Sequence, residues 1–308
     1  MRGRIANVIG VAFAFTVLGL APTSARAQGA WAGGAKSLQL DLGYQYVPSS
    51  TVVVDPEEEV ADRPTRNHVF TLAGSYVPIE KLSIDVAVPF AMVKYAGTDP
   101  HGPPGKWDDG SFHATLTDLR LGARYQVLDE PYVALSPHLA VSIPLMDYET
   151  IGFATGGRHL KTAHAGLSVG RTFDPVVPSL YFTGSYEFSF AEKMDATPMT
   201  EKIKQKRSDI AFELGYFFLE GKLGINLAMN WRMQHGGLSF KQFGTIAPEL
   251  VANHDPLLDE DFLFLGGGAS YAINERFTVT LSLRQFIRGY NTRDQDLYGL
   301  NLTWLAIP

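Results

Sequence analysis

The chain has 308 residues, 45% hydrophobic and 19% charged, with no cysteine. Its 26 basic against 32 acidic residues give a net charge of −6, which argues against nucleic acid as a partner. The missing cysteines exclude a disulfide framework and thiolate metal sites.

The N-terminus reads as a secretory signal. Arg2 and Arg4 precede an apolar run from Val8 to Leu20, and Ala25-Arg26-Ala27 forms a small-x-small cleavage site before Gln28. The expected organisation is a signal over 1–27 and one domain over 28–308. Cleavage removes Arg2, Arg4 and Arg26 and moves the net charge from −6 to −9. No cysteine follows the site, so a lipid anchor is not indicated. Beyond it no stretch approaches the roughly twenty apolar residues of a membrane helix. An exported chain without such a helix spans a membrane only as a closed barrel.

The rest alternates apolar and polar residues with period two, as in Leu82-Ser83-Ile84-Asp85-Val86-Ala87-Val88. That period predicts strands. They fall at 36–47, 67–77, 82–93, 115–127, 132–143, 162–173, 179–190, 208–218, 223–234, 261–272, 277–288 and 294–305. Short gaps rich in turn formers, such as Leu219-Glu220-Gly221-Lys222, alternate with longer gaps rich in Pro, Gly and charge. The pattern predicts an all-β, antiparallel up-and-down transmembrane β-barrel of about twelve strands, with short periplasmic turns, long outer loops and both termini in the periplasm. A soluble β-sandwich also alternates, but would not sort its loops by length, and its polar face would carry many Lys and Glu. Here that face is mostly Ser, Thr, Gly, Ala, Asn and Gln.

The phase of each strand separates lipid from lumen. Leu38, Leu40, Leu42, Tyr44 and Tyr46 face out in the first strand, and Tyr298, Leu300, Leu302 and Trp304 in the last. With that phase Tyr76, Tyr125, Tyr132, Tyr216, Phe218, Tyr271, Phe277 and Trp304 form a periplasmic aromatic girdle. Tyr46, Phe90, Phe190 and Trp231 mark the outer one.

Thr115-Leu116-Thr117-Asp118-Leu119-Arg120-Leu121-Gly122-Ala123-Arg124-Tyr125 resembles the G-L-G-D-L-x-L-G-x-K-Y strand of the outer-membrane proteins called the MetA-pathway of phenol degradation family, with Leu116-Thr117 where the family prefers Leu-Gly. The hairpin from Tyr76 to Phe90 fits as well, as does Ile143-Pro144 followed by a Gly-rich loop. The resemblance implies a twelve-stranded barrel that transports small, often aromatic or apolar, compounds.

The candidate functional residues are ionisable groups on the lumen face: Asp85, Asp118, Arg120, Arg124, Glu187, Glu213, Arg232, Arg284 and Arg288, with Asp41 and Asp209 beside them. They can line a pore and set its selectivity, or fill it as an internal salt-bridge network. His138 and Ser142 lie four apart on one lumen face, but nothing orients them as a hydrolase would need, so the chain does not read as an enzyme. Gly266-Gly267-Gly268 lies in a strand and permits curvature or close backbone approach rather than phosphate binding. Asp255, Asp259, Glu260 and Asp261 crowd one outer loop, and Lys202, Lys204, Lys206 and Arg207 another. Both read first as solvated loops, with divalent cations or lipopolysaccharide headgroups as the functional alternatives.

The reading that results is a channel or transporter in the outer membrane of a Gram-negative bacterium, passing a small-molecule solute without cofactor or metal. Its partners are outer-membrane lipids, lipopolysaccharide and the barrel assembly machinery. The alternative is a structural or adhesive barrel without transport.

Overall fold

The structure is a computed structural model that describes residues 29–55, 58–97, 107–130, 132–150, 152–194, 202–239 and 255–308. The segment 1–27, and with it the expected signal, lies outside the described residues.

Among the described residues fifteen strand segments make one antiparallel sheet. They are β1 (Leu38–Asp55), β2 (Glu58–Ile79), β3 (Leu82–Tyr95), β4 (His113–Leu116), β5 (Asp118–Tyr125), β6 (Leu128–Glu130), β7 (Val133–Pro144), β8 (Thr162–Thr172), β9 (Leu180–Ala191), β10 (Lys206–Phe218), β11 (Leu223–His235), β12 (Asp261–Ala272), β13 (Phe277–Tyr290), β14 (Thr292–Gln295) and β15 (Leu297–Ile307). Segments β4 to β6 continue one another along the wall, as do β14 and β15, so the segments form twelve staves. The sheet closes on itself. β1 pairs with β2 on one side and with β15 on the other, in register from Leu38↔Ile307 to Tyr46↔Tyr298. Closure leaves no edge whose backbone groups would face hydrocarbon unpaired.

The residues sort in the sense opposite to a water-soluble protein. Leu227 (67% exposed), Leu139 (66%) and Leu72 (61%) stand on the outer surface, while Asp41, Ser83, Ser136, Glu187, Arg232 and Arg284 are buried inside. Such an exposed apolar wall is stable only against lipid. At the short-turn end Tyr76, Tyr125, Tyr132, Tyr216, Phe218, Tyr271 and Trp304 are exposed, with Phe277 stacked on Trp304 at 6.0 Å. Phe190 is exposed at the other end, where the Trp231 indole donates to Asp261 (3.2 Å).

Three departures from simple alternation have local causes. β1 and β2 run to Asp55 and from Glu58, well beyond the strands expected at 36–47 and 67–77. Pro48 and the acids around the tip disguise the extension, whereas the β-branched run Thr51-Val52-Val53-Val54 favours it. Pro89 in β3 can accept but not donate, and the opposite stave breaks between β4 and β5, where the Thr117 N–H reaches the Pro89 carbonyl (3.0 Å). Finally, Leu263 pairs with Arg288 but Phe264 with Phe286, which leaves Ile287 as a bulge in β13.

Candidate functional site: a layered lumen

At the short-turn end the chain preceding β1 turns into the barrel. The Arg124 guanidinium donates to the Gly29 carbonyl (2.9 Å), the Ser136 hydroxyl donates to the Ala30 carbonyl, and the Ala32 N–H donates to the Gln126 side-chain oxygen (2.6 Å). Ala30 is fully buried, and the Trp31 ring lies against Gly170. Only the wall residues were legible in the sequence, because this segment carries no periodic signal.

The middle layer is a network of strand-borne charges. Arg120 grips Glu187 with both terminal nitrogens. His138 adds a contact at 3.1 Å and His164 one at 3.0 Å. His164 also meets the hydroxyls of Ser142 (2.9 Å) and Ser189 (2.8 Å). Antiparallel register brings these groups together. Glu187 lies opposite Gly166 on one side and Asp209 on the other, and Asp209 lies opposite Arg232. A Cβ at Gly166 would sit 2.4 Å from the His138 ring, so glycine there is what lets His138 lie across β8. Asp209 takes the Arg232 and Arg207 side chains, each at 2.7 Å. His138 and Ser142 share a lumen face of β7, but the Ser142 hydroxyl meets His164, one strand away. Ser142, His164 and Glu187 follow one another at the spacings of a hydrolase relay. Yet Glu187 is shared with Arg120 and His138, which makes the group an ion-pair network.

Nearer the short turns on the same β9 and β10, Tyr181 donates to Glu213 (2.7 Å), and from β13 Arg284 donates to the Asn230 side chain (2.9 Å) and the Gly267 carbonyl (3.2 Å). The glycine run 266–268 thus serves close approach, since a Cβ at Gly266 would lie 2.0 Å from the Leu283 carbonyl. Asp41 accepts from Gln39, Asn301 and Thr303.

At the long-loop end the segment from Gly152 to Leu160 folds into the mouth. The fully buried Asp108 accepts the N–H groups of Phe153 (2.9 Å) and Ala154 (2.8 Å). Tyr148 donates to Asp118 (2.6 Å) and accepts from the His159 N–H (2.9 Å). Burial first, and the Asp118 charge second, push the Tyr148 phenol up and keep it a donor. Arg158 reaches the Gln234 oxygen (2.8 Å) and ion-pairs with Glu260. Phe153 and Ala154 join Val69, Ala91, Val93, Tyr95 and Trp107 in an apolar cluster, and the Arg293 guanidinium lies 4.4 Å over the Phe153 ring. Nothing in the periodicity singled out Arg158 or Arg293. Apolar Phe153 and Ala154 inside a Gly-rich loop were the available signal.

The expected site residues therefore divide. Asp85, Arg120, Arg124, Glu187 and Arg232 line an inner cavity, and Asp118 and Arg120 an outer one. Glu213 and Arg284 sit against the wall. Arg288 is a correction: the bulge at Ile287 reverses the phase, and Arg288 stands exposed outside the lumen. The basic outer patch also splits, with Lys202, Lys204 and Lys206 exposed and Arg207 turned in to Asp209. Of the acidic loop, Glu260 pairs with Arg158 and Asp261 accepts from Trp231. Among the described residues no group of three His, Asp or Glu could hold a metal ion.

An apolar belt outside, a polar lumen inside and a closed seam define an integral membrane β-barrel. Among solved structures the fold is similar to that of the COG4313 outer membrane channel from Pseudomonas putida F1, with 11% identity, a TM-score of 0.69, and 90% of this chain and 98% of that one covered. The KdgM porin (9% identity, TM-score 0.47, coverage 86% and 98%) and the CymD monoaromatic hydrocarbon channel (12%, 0.44, 88% and 89%) match more loosely. No family model and no curated protein matches the chain.

Proposed function

We propose that the protein is an outer-membrane channel of a Gram-negative bacterium that passes small solutes, and that it is not an enzyme. In this reading residues 1–27 export the chain, the barrel assembly machinery inserts it, and its girdles sit among lipids and lipopolysaccharide, with the short turns in the periplasm. The observation that carries the reading is the chain of cavities inside a closed wall. The inner and outer cavities share Arg120, and a third meets the outer one at Gly156, Gly157 and Arg158 and the inner one at Arg232 and Phe262. The P. putida channel, built on the same fold, is consistent with it. Small aromatic or apolar compounds, the class implied by the sequence resemblance, are the first solutes to try.

The lumen arginines favour anions only where acids do not cancel them. Arg120 is matched by Glu187 and Arg232 by Asp209, which makes these two mainly structural. Single-channel recording of the refolded chain tests the proposal. Discrete current steps are expected, with larger conductance when residues 29–35 are deleted. A correctly folded barrel silent with and without that segment would favour a structural or adhesive barrel, the reading suggested by a lumen occupied at both ends.

A further inference from the structure

Two cations stand side by side on the outside of the wall at the long-loop end. The outward phase of β1 continues across the register into β2 and β3, through Tyr44↔Phe70↔Phe90 and Tyr46↔His68↔Met92. One step further out, Arg66 lies opposite Lys94 on the same face. Arg66 is exposed, and the Lys94 ammonium lies 5.6 Å over the exposed Phe112 ring. The His68 ring lies 5.6 Å from that of Phe112 and meets the Tyr44 hydroxyl through Nδ1 (2.9 Å), which leaves its Nε2 for another partner.

Like charges opposite one another on neighbouring strands are destabilising. Elsewhere the outer wall avoids the arrangement. Lys81, at the short-turn end, pairs with Asp129 (3.3 Å), and Arg288 stands beside Asp261. Among the described residues neither Arg66 nor Lys94 has an acid partner. Asp109, near Phe112, is held by His113 (2.9 Å), and Asp296, two staves from Arg66, is bonded by the Tyr298 hydroxyl. Strands rise about 3.3 Å per residue, so the Arg66 backbone stands about 13 Å along β2 beyond Phe70. That is headgroup level above an aromatic girdle. Below it the wall is apolar, with Phe70 and Leu72 exposed to lipid. The face suits an amphiphile with an anionic head above and hydrocarbon below.

We propose that Arg66, Lys94 and His68 bind a phosphate of lipopolysaccharide, on its lipid A headgroup, with the acyl chains lying along Phe70 and Leu72. A phosphate monoester carries a charge of roughly −1.5 to −2 and three acceptor oxygens. It therefore matches two fixed cations and a third donor. The phosphodiester of a phospholipid brings a single charge, a neutral lipid would leave the two cations facing each other, and inorganic phosphate would gain nothing from the apolar wall. The inference rests on the outer-membrane reading for the source of the lipid. It concerns the outside of the barrel and is independent of what passes through the lumen.

Native mass spectrometry of the refolded full-length chain in detergent, with a chelator present to remove divalent cations, tests the site. The probes are lipid A, the same lipid with its phosphates removed, and phosphatidylglycerol. A first lipid A is expected to bind saturably, with the other two at least about tenfold weaker. The double variant Arg66→Gln/Lys94→Gln should weaken lipid A about thirtyfold, the effect of two basic groups at a lipid surface. Arg66→Lys should keep most of the binding, and Lys81→Gln, at the other end of the barrel, all of it. In lipid-free detergent the double variant should melt no lower than the parent chain, because it loses a repulsion. Heat-modifiable migration checks folding, and if the double variant does not fold, the phosphate dependence of the parent chain decides. Equal binding of lipid A with and without its phosphates, undiminished binding by a folded double variant, or an equal loss from Lys81→Gln overturns the proposal. Phosphatidylglycerol bound as well as lipid A overturns the assignment to lipopolysaccharide. Lipid A binding by a chain that fractionates away from the outer membrane would sink the location and leave the site standing. A conducting outer-membrane barrel indifferent to the phosphates would do the reverse.

Discussion

The two halves of the lumen hold their charges in different ways. In the inner half Arg120, His138, His164, Glu187, Asp209 and Arg232 all stand on strands and satisfy one another across the register of neighbouring staves. In the outer half Arg158 stands on a loop and reaches across to Gln234 and Glu260. A network fixed by the wall is a poor candidate for exchanging a partner with a solute. A loop-borne pair at the mouth is a good one. Each half can be broken separately.

The largest effect belongs to the inner half. Glu187 has a side chain only 9% exposed and serves Arg120 and two histidines. Glu187→Ala leaves that positive group without its counter-charge, and removing one partner of a buried pair costs about 3–5 kcal/mol. Urea unfolding of protein refolded in lipid vesicles measures it. A loss under 1 kcal/mol would mean the network is wet and exchangeable like the outer pair, and the contrast between the halves would fall.

The next effect sharpens the contrast by leaving the lumen. Leu227 and Ala228 are neighbours on β11, one on lipid and one inward. Leu227→Arg near mid-membrane should cost about 2–4 kcal/mol and impair assembly, whereas Ala228→Ser should stay within about 0.5 kcal/mol. Equal damage from both would refute the phase of that strand.

This wall was the part that the sequence made plain, for a physical reason. Lipid on one side and a polar lumen on the other impose a two-residue period on every stave, so outward Leu42, Leu72 and Leu227, the girdles and the β1–β15 seam could be read directly. What lay outside that period could not. The entry of Gly29 to Ala32 into the barrel depends on single hydrogen bonds to Arg124, Gln126 and Ser136, and isolated contacts leave no pattern. The pairing of Ser142 with His164 depends on register between strands, which one sequence does not display. The descent of Phe153 and Arg158 depends on where a loop folds back.

A middle-sized effect tests whether that loop is fixed or exchangeable. Tyr148 ties its base to the barrel through Asp118 and the His159 N–H. Tyr148→Phe removes both bonds, a loss of about 1–3 kcal/mol at 0.5–1.5 kcal/mol each. If the outer half is the mobile one, the same change should raise current noise while the loss of stability stays within that range. A fall in stability as large as that of Glu187→Ala would instead make the loop part of the rigid frame.

The smallest effect separates period from structure at one residue. By two-residue counting Arg284 and Arg288 share a face, yet only Arg284 is inside. Ile287 bulges out of the ladder with β12, Phe286 turns in to pack on Phe264, and Arg288 emerges beside Asp261, whose carboxylate it stabilises only through space. An exposed arginine with a distant carboxylate contributes little, so Arg288→Ala should change stability by less than about 0.5 kcal/mol and leave the reversal potential in a salt gradient unmoved. Arg284→Ala differs in kind. It strips a buried donor from the Asn230 side chain and the Gly267 carbonyl and leaves nearby Glu213 less compensated. That change should cost about 1–3 kcal/mol and shift the reversal potential toward cations. If instead Arg288→Ala moves the potential and Arg284→Ala does not, β13 runs through the membrane without its bulge, and the simple alternation of the sequence describes that strand better than the structure does.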